Sequence, residues 1–216
     1  MIIGGVAIIA RGVRRMTGDI DAVVRGDQVA PGALIRGLRR WEIVPRIEGA
    51  EAFARDNLVL LVRHEPSGVE LDISFGWTQF EVDAISAGTP TRYGGVTAPM
   101  ARAEDLVVFK AMAARPQDIE DATTLLLLHR DIDVDRARRR LGELAALAEE
   151  PALLGGLEIA IERARAARAK PERRKPREPR AKPPPRVKPR KPLAKPRARA
   201  KPRPGAKPKP KPKPKR

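Results

Sequence analysis

Cysteine is absent from all 216 residues. Disulfide bonds and thiolate metal sites are therefore excluded, and a reducing cytoplasm is the expected compartment. Histidine is scarce, and because no ligand spacing links His64 to His129 we predict that both are structural. Aromatic residues make up only 3% of the chain. Trp41 and Trp77 are accordingly expected in the core rather than as platforms on which nucleic-acid bases stack.

Long apolar runs are also absent. The apolar stretch over residues 1–10 has no basic leader, and Arg11 interrupts it far short of the roughly 20 residues that a membrane-spanning helix needs. The sequence therefore predicts a cytoplasmic protein without a transmembrane segment.

Charge is distributed very unevenly. Residues 170–216 hold 22 basic residues, two acidic residues and 15 prolines, a net charge of +20 that leaves −3 for residues 1–169. With so few apolar side chains, this tail cannot offset the entropy cost of ordering, and repeated Lys-Pro favours extended, self-repelling chain. We predict a disordered tail that binds DNA or RNA by counterion release. A solubilising low-complexity end and contact with anionic membranes are the alternatives.

Two aspartates separated by one apolar residue form the pattern most informative about function. Asp19 and Asp21 lie at a predicted strand over residues 20–24. Alternate side chains of a strand point to one face, so their backbones would stand about 7 Å apart. Such close carboxylates raise one pKa unless a divalent cation or an arginine compensates. A solvated turn with two acids is the alternative.

A third acid lies on a predicted β-hairpin. Apolar residues over 58–62 and an alternating pattern over 69–75 flank a turn containing proline and glycine. The polar face of the second run carries Asp72. If this strand lies beside the strand over 20–24, Asp72 approaches Asp19 and Asp21. Three carboxylates could then surround one or two Mg²⁺ ions, which complete their coordination with water and substrate phosphates.

Together these motifs resemble the nucleotidyltransferase fold of the DNA polymerase beta superfamily. The resemblance spans roughly residues 1–150: Gly4-Gly5, a short helix, R-x-T-x-D-I-D over 15–21, and a later strand bearing one Asp. It is closest to the minimal bacterial branch with its AbiEii-type, toxin-like members, which have segments similar to residues 103–110 and 115–121. The implied fold is α/β, with a mixed sheet flanked by helices in a catalytic core at 1–100 and a helical layer at 101–169.

The chain departs from the family pattern at two points. The superfamily has Gly-Ser where this sequence has Gly4-Gly5, so backbone amides would have to contact the nucleotide phosphates. Resembling domains also have a helix before their first strand, whereas the predicted strand here begins at Met1. We therefore expect either coding sequence upstream of Met1 or a trimmed domain.

The resemblance implies Mg²⁺-dependent transfer of a nucleoside monophosphate from a nucleoside triphosphate to an acceptor. Asp19 and Asp21 would bind the metal, and Asp72 would be a further ligand or the base for the acceptor hydroxyl. The nucleotide would contact Gly4, Gly5, Arg15, Thr17 and Lys110. The acceptor could be a tRNA end or other RNA, a protein or a small molecule, and the toxin-like resemblance favours RNA and an antitoxin partner. The alternatives are an inactive domain in a nucleic-acid-binding protein, and an antitoxin-like or scaffold role.

Several charged residues fall in predicted helices at 104–114 and 117–129. Lys110 has apolar neighbours, so its ammonium group either reaches water or meets an anion, and we favour nucleotide phosphate or the carboxylate cluster. Asp118 and Asp121 lie one turn apart, with Asp118 in the first turn, where the helix dipole stabilises negative charge. Arg115 could pair with either aspartate or hold a phosphate, and pairing is slightly favoured. All three are possible supports of the site.

The remaining pattern completes the α/β prediction. Further helices are predicted at residues 31–40, 77–87, 133–148 and 152–168, a short helix or turn at 51–56, and a single edge strand at 91–97.

Overall fold

A computed structural model describes residues 1–169, which form a mixed seven-stranded sheet with helices packed against it. The strands are β1 Ile2–Ile3, β2 Asp19–Arg25, β3 Ile43–Pro45, β4 Val59–His64, β5 Glu70–Gly76, β6 Thr89–Tyr93 and β7 Val96–Met100. The helices are α1 Gly4–Ala10, α2 Pro31–Leu38, α3 Ala50–Asn57, α4 Gln79–Ala87, α5 Ala103–Ala113, α6 Pro116–Leu128, α7 Val134–Leu147 and α8 Leu154–Ala169. Short 3₁₀ turns lie at Arg39–Trp41 and Pro151–Leu153.

The strand order is β3-β4-β5-β2-β1-β7-β6. Strands β2 and β5 run parallel as direct neighbours, and their register sets Asp21 opposite Asp72. The predicted neighbourhood of these two strands is therefore confirmed. The predicted hairpin is also present, because β4 and β5 pair antiparallel.

Alternation along β5 explains which face it buries. Ile73 and Phe75 are buried and join Leu60 and Val62 of β4 in an apolar cluster beneath α2 and α3. The intervening side chains point to the opposite face, as the period of two in a strand requires. Asp72 is thereby held away from this core and toward the same side as the aspartates of β2.

The helical layer closes the other side of the domain. Ile8 of α1, Leu106 of α5, Leu125 of α6, Leu141 of α7 and Leu157 of α8 are all fully buried in one cluster. The helices beyond residue 101 therefore share an apolar core with α1. This packing fixes the position of α5 and α6 relative to β2.

The prediction of a single edge strand at 91–97 is wrong. The segment is a hairpin of β6 and β7, and its turn contains Gly94 and Gly95, both with positive φ. Pro90 and Pro99 face each other in it. Proline is tolerated where its missing N–H interrupts no ladder. Pro90 lies on the edge strand β6, and β1 pairs with β7 only at Met100, so both prolines lie within strands instead of ending them.

The expectation that both tryptophans lie in the core is also wrong. Trp41 is 62% exposed and Trp77 is 61% exposed. Each lies in a connection between elements, and aliphatic side chains fill the two cores. The structural prediction for histidine is supported, because His64 bonds Ser67 at 2.7 Å and His129 bonds the Arg11 carbonyl at 2.9 Å.

None of the helices in residues 1–169 combines the length and apolar character needed to cross a membrane. The predicted disordered tail over residues 170–216, with its nucleic-acid binding, lies outside the described residues.

Candidate active site

An open cleft of about 480 Å³ lies between the polar face of β2 and β5 and the junction of α5 with α6. Nine of the eleven predicted site residues line it: Gly5, Arg15, Thr17, Asp19, Asp21, Asp72, Lys110, Arg115 and Asp118. The other two contact lining residues, since Gly4 lies against Asp21 and Asp121 pairs with Arg15. The structure therefore gathers the predicted residues from five sequence segments into one place.

Asp21 is a carboxylate of the cleft whose pKa is shifted by burial and by the charges around it. Burial raises the pKa of this carboxyl, and the negative charges of Asp19 and Asp72 raise it further. Hydrogen bonding from the Gly5 backbone and the charge of Lys110 act in the opposite direction. The net upward shift means that the site disfavours the ionised carboxylate, as expected for like charges without a compensating cation.

Gly4 makes room for the Asp21 carboxylate. Its φ is +58°, and a Cβ added there would lie 1.8 Å from Asp21 Oδ2. Both the left-handed backbone and the contact require the absence of a side chain. Gly5 is similar, because an added Cβ would lie 2.4 Å from Thr17 Oγ1.

We therefore expect Gly4→Ala to displace Asp21 and so to lower the nucleotidyl transfer proposed below about 100-fold. The left-handed backbone at this position should also cost the variant about 2 kcal/mol of folding free energy. Turnover and urea unfolding measure the two effects. Gly142→Ala is the control, because open space surrounds an added Cβ on α7 and alanine favours a helix. Wild-type turnover in Gly4→Ala would show that Asp21 need not stand where it does.

Arg46 is a site residue that the sequence analysis missed. Its guanidinium pairs with Asp72 and with Glu70. The Arg46 backbone N–H donates to the Leu61 carbonyl at 3.2 Å, and Leu61 stands opposite Asp72 in the sheet. Three neighbouring strands thus bring an arginine to the third carboxylate. The only sequence signal was the short apolar run Ile43-Val44, which we did not assign as a strand.

A buried charge cluster forms the opposite wall of the cleft. Lys110 Nζ lies 2.7 Å from Asp118 Oδ1 and 3.2 Å from Asp121 Oδ2. The side chain of Lys110 is 10% exposed and both aspartates are 1% exposed. Arg15 Nη1 reaches Asp121 Oδ2 at 2.5 Å. Lys110 therefore does not reach into open solvent, and it meets the aspartates of α6 rather than those of β2 and β5.

Arg115 extends from this cluster to the rim of the cleft. Its side chain is 74% exposed, and its Nε atom lies 2.5 Å from Asp118 Oδ2. Of the two predicted roles, pairing with an aspartate and binding a phosphate, the structure shows the pairing. The pKa of Asp118 lies below its usual range, because hydrogen bonds from Arg115 and Lys110 outweigh the opposing effect of burial. The charges of Asp21 and Asp19 also act on the guanidinium of Arg115. Cations therefore face the carboxylates across the cleft.

The carboxylate oxygens of Asp19, Asp21 and Asp72 are ligands that Mg²⁺ prefers, but the three carboxylates are not arranged around one point. Within residues 1–169, no group of three or more acidic or histidine side chains is arranged to hold one metal ion. Asp72 is turned to Arg46, and Asp19 accepts a hydrogen bond from Thr17 Oγ1 at 2.6 Å. However, Mg²⁺ is usually held by one or two carboxylates plus water and phosphates. Asp19 and Asp21 meet that requirement, and a cation beside them would relieve the raised pKa of Asp21.

Replacing Arg46 by glutamine should tighten Mg²⁺ binding about tenfold, because Asp72 then adds an uncompensated negative charge to the cleft. Thermal stability without Mg²⁺ should fall for the same reason. Titration calorimetry and thermal melts with and without Mg²⁺ measure both. Arg63→Gln on β4 is the matched control, since Arg63 is exposed and makes no ion pair within residues 1–169. Equal Mg²⁺ affinity in the two variants would contradict the expected role of Arg46.

Comparison with known proteins identifies no relative: no protein-family model matches the chain, and no curated protein matches it.

Proposed function

We propose that this protein is a Mg²⁺-dependent nucleotidyltransferase, which moves a nucleoside monophosphate from a nucleoside triphosphate to an acceptor. One observation carries the proposal: Asp19, Asp21 and Asp72 share the polar face of two adjacent parallel strands, and cationic side chains face them across an open cleft. A metal ion and a polyphosphate together match this arrangement of opposite charges.

Asp19 and Asp21 would hold the metal, which would supply charge stabilisation for the phosphates and the leaving pyrophosphate. Arg115 and Arg15 are placed to bind phosphate oxygens, since an arginine can present two parallel donors to a phosphate. The buried aspartates of α6 hold these cations in position. Transfer of this type depends mainly on positioning and charge stabilisation, so such a small site suffices.

Asp72 is the proposed base for the acceptor. The acceptor hydroxyl attacks the α-phosphorus of the triphosphate, gives its proton to the Asp72 carboxylate, and pyrophosphate leaves with the electron pair of the broken P–O bond. In the described state Asp72 is paired with Arg46. Arg46 contacts only the Oδ1 atom of Asp72, so the proton of the acceptor would go to Oδ2, or to Oδ1 after Arg46 releases it.

A second cavity, of about 500 Å³, adjoins the cleft and is a candidate acceptor site. Arg15 and Gln117 line both spaces, and Arg14 and Thr124 add polar groups to the second. An acceptor here would approach the proposed triphosphate from beyond Arg15. This arrangement keeps acceptor and nucleotide on opposite sides of one arginine.

The decisive experiment incubates the protein with each α-labelled nucleoside triphosphate, Mg²⁺ and total cellular RNA. Label transferred to RNA, to protein or to a small molecule identifies nucleotide and acceptor together. The same reaction with EDTA is the control for metal dependence. Absence of transfer with all four triphosphates and all acceptor fractions would contradict the proposal.

A second candidate function is an inactive nucleotidyltransferase-like domain in a nucleic-acid-binding protein. Pairing of Asp72 with Arg46 favours it, because the guanidinium neutralises a carboxylate that the proposed reaction needs as a base. The charge of +20 in residues 170–216 would then supply the affinity. Strongly salt-dependent RNA binding without any label transfer would favour this candidate over the first.

A further inference from the structure

An exposed tryptophan surrounded by arginines lies at the end of α2, away from the carboxylates. Trp41 is 62% exposed, and the Arg40 guanidinium lies over its ring, 5.5 Å from the centroid. Arg39 is exposed in the same 3₁₀ turn as Trp41, and Arg36 is exposed in the last turn of α2. We call Arg36, Arg39, Arg40 and Trp41 the Trp41 patch.

Charge in the Trp41 patch is uncompensated by neighbouring side chains. The sequence has no acidic residue between Asp27 and Glu42. Among residues 1–169, the three arginines make no ion pair and no side-chain hydrogen bond, whereas Arg46, Arg138 and Arg140 all pair with acids. Glu42 follows Trp41 directly and pairs with none of them. The patch is therefore a cationic surface that can accept a polyanion without breaking existing pairs.

We infer that the Trp41 patch binds single-stranded nucleic acid, with a base stacked on Trp41 and backbone phosphates on the arginines. Exposed aromatic rings beside cations suit this ligand, because every base offers a π face and stacking contributes about 1–3 kcal/mol per base. Arginine planes can stack on bases as well as bind phosphate. A duplex keeps its bases stacked inside, and the acidic side chains of a peptide offer no ring to the indole, so both fit the patch less well.

The patch lies near the proposed active site along the chain. Trp41 and Arg46 are five positions apart in the sequence, which is at most about 18 Å of extended backbone, and Arg46 contacts Asp72 in the cleft. The patch follows α2, which covers the face of β5 opposite to Asp72. A bound strand would therefore have to pass around the β3 edge of the sheet, beside Arg46, to bring its end to Asp72. This last step alone depends on the proposed nucleotidyl transfer, and it makes nucleic acid the expected acceptor class.

Tryptophan fluorescence of the full chain can test the binding surface separately from the basic tail. Trp77→Phe leaves Trp41 as the only tryptophan, and Trp41→Phe leaves Trp77. Each variant is titrated with a short oligouridylate in EDTA and without triphosphate, so the result does not depend on transfer. We expect strong quenching of Trp41 emission and little change in Trp77 emission. Equal quenching of the two, or none of Trp41, would overturn the inference.

Two polyanions without bases separate stacking from charge. Heparin and poly-glutamate, added at equal charge, should leave Trp41 emission nearly unchanged although both bind cations. Quenching of Trp41 by poly-glutamate as strong as by oligouridylate would overturn the inference in favour of an acidic protein partner. Equally strong quenching by heparin would show that charge alone is sensed, which also overturns it.

Arginine variants test the phosphate contacts. Arg36→Ser/Arg39→Ser should reduce the salt dependence of the Trp41 signal by about 0.7 in log–log slope for each lost contact. Arg163→Ser/Arg165→Ser is the matched control, because these arginines of α8 are exposed and make no ion pair within residues 1–169. Equal slopes in the two double variants would overturn the assignment of the arginines.

Discussion

Asp21→Asn is expected to lower nucleotidyl transfer about 1000-fold while the domain stays folded. The substitution removes a carboxylate that we propose as a metal ligand, and a metal would contribute several kcal/mol of charge stabilisation to such a reaction. Asparagine has nearly the same shape, so the close approach of Gly4 to this side chain is retained. Label transfer at saturating Mg²⁺ measures the loss, and circular dichroism verifies the fold.

The same substitution should raise thermal stability at neutral pH in EDTA. Burial and the charges of Asp19 and Asp72 raise the pKa of Asp21 in the folded state. The folded protein therefore binds a proton at Asp21 more readily than the unfolded chain, whose aspartate pKa is about 3.9. That stabilisation is complete below about pH 3.9 and is lost as the pH rises through the folded pKa. Asparagine stays neutral, so its advantage should be largest at neutral pH and vanish near pH 4.

Asp56→Asn is the matched control, because Asp56 is exposed near the end of α3 and makes no ion pair within residues 1–169. It should keep wild-type transfer and show no comparable gain in stability. Transfer near the wild-type rate in Asp21→Asn would contradict the metal-site assignment. A gain in stability without loss of transfer would show that the repulsion at Asp21 is real but that this carboxylate is not needed for nucleotidyl transfer.

The faces to which the three aspartates point were predictable because they depend on a local rule. Alternation over residues 69–75 assigns Asp72 to the polar face, and D-x-D assigns Asp19 and Asp21 to one face. Once the two strands are adjacent, residues in register point to the same face of the sheet, and the register sets Asp21 opposite Asp72. The predicted site therefore follows from the alternation of side chains along a strand and from one assumption, that β2 and β5 are neighbours in the sheet.

The partner of Asp72 could not be predicted in the same way. Arg46 reaches it because β3, only three residues long, pairs with β4 at the sheet edge. Nothing within the local sequence distinguishes Arg46 from the other basic residues of the chain. Sheet order is a non-local property, and an ion pair across three strands becomes visible only once that order is known.

The tryptophan prediction failed for a different reason. Residue type gives only the average burial of tryptophan. The burial of Trp41 and Trp77 depends instead on where α2 and β5 end, because each tryptophan lies just after one of these elements. Aliphatic residues such as Leu60 and Leu106 already fill the two apolar clusters. The exposed tryptophans are thus informative because they depart from the expectation for large apolar side chains.

Lys110→Met should cost about 3–5 kcal/mol of folding free energy, the largest stability effect expected in the domain. Lys110 lies between Asp118 and Asp121, both 1% exposed. Without it each aspartate keeps one arginine at the edge of the cluster, Arg115 or Arg15, but the cation that the two buried carboxylates share is lost and much of their desolvation cost stays unbalanced. Methionine has a similar length and fits the apolar neighbours, so the loss of charge is the main change. Urea unfolding at pH 7 measures the free energy.

Acid titration and a rescue variant separate lost charge from poor packing. The pKa of Asp118 is held below its usual range, so its stabilising contribution is present above about pH 3.9 and is lost as the pH falls through the folded pKa. The difference between wild type and Lys110→Met should therefore narrow below about pH 4. Lys110→Met/Asp118→Asn/Asp121→Asn, which has no buried charge at these positions, should recover most of the stability. Arg138→Met at a partly exposed ion pair should cost less than about 1 kcal/mol. Two results would contradict a stabilising role of the buried ion pairs in the wall of the cleft. One is a loss of folding free energy in Lys110→Met no larger than in Arg138→Met, and the other is no recovery of folding free energy in the triple variant.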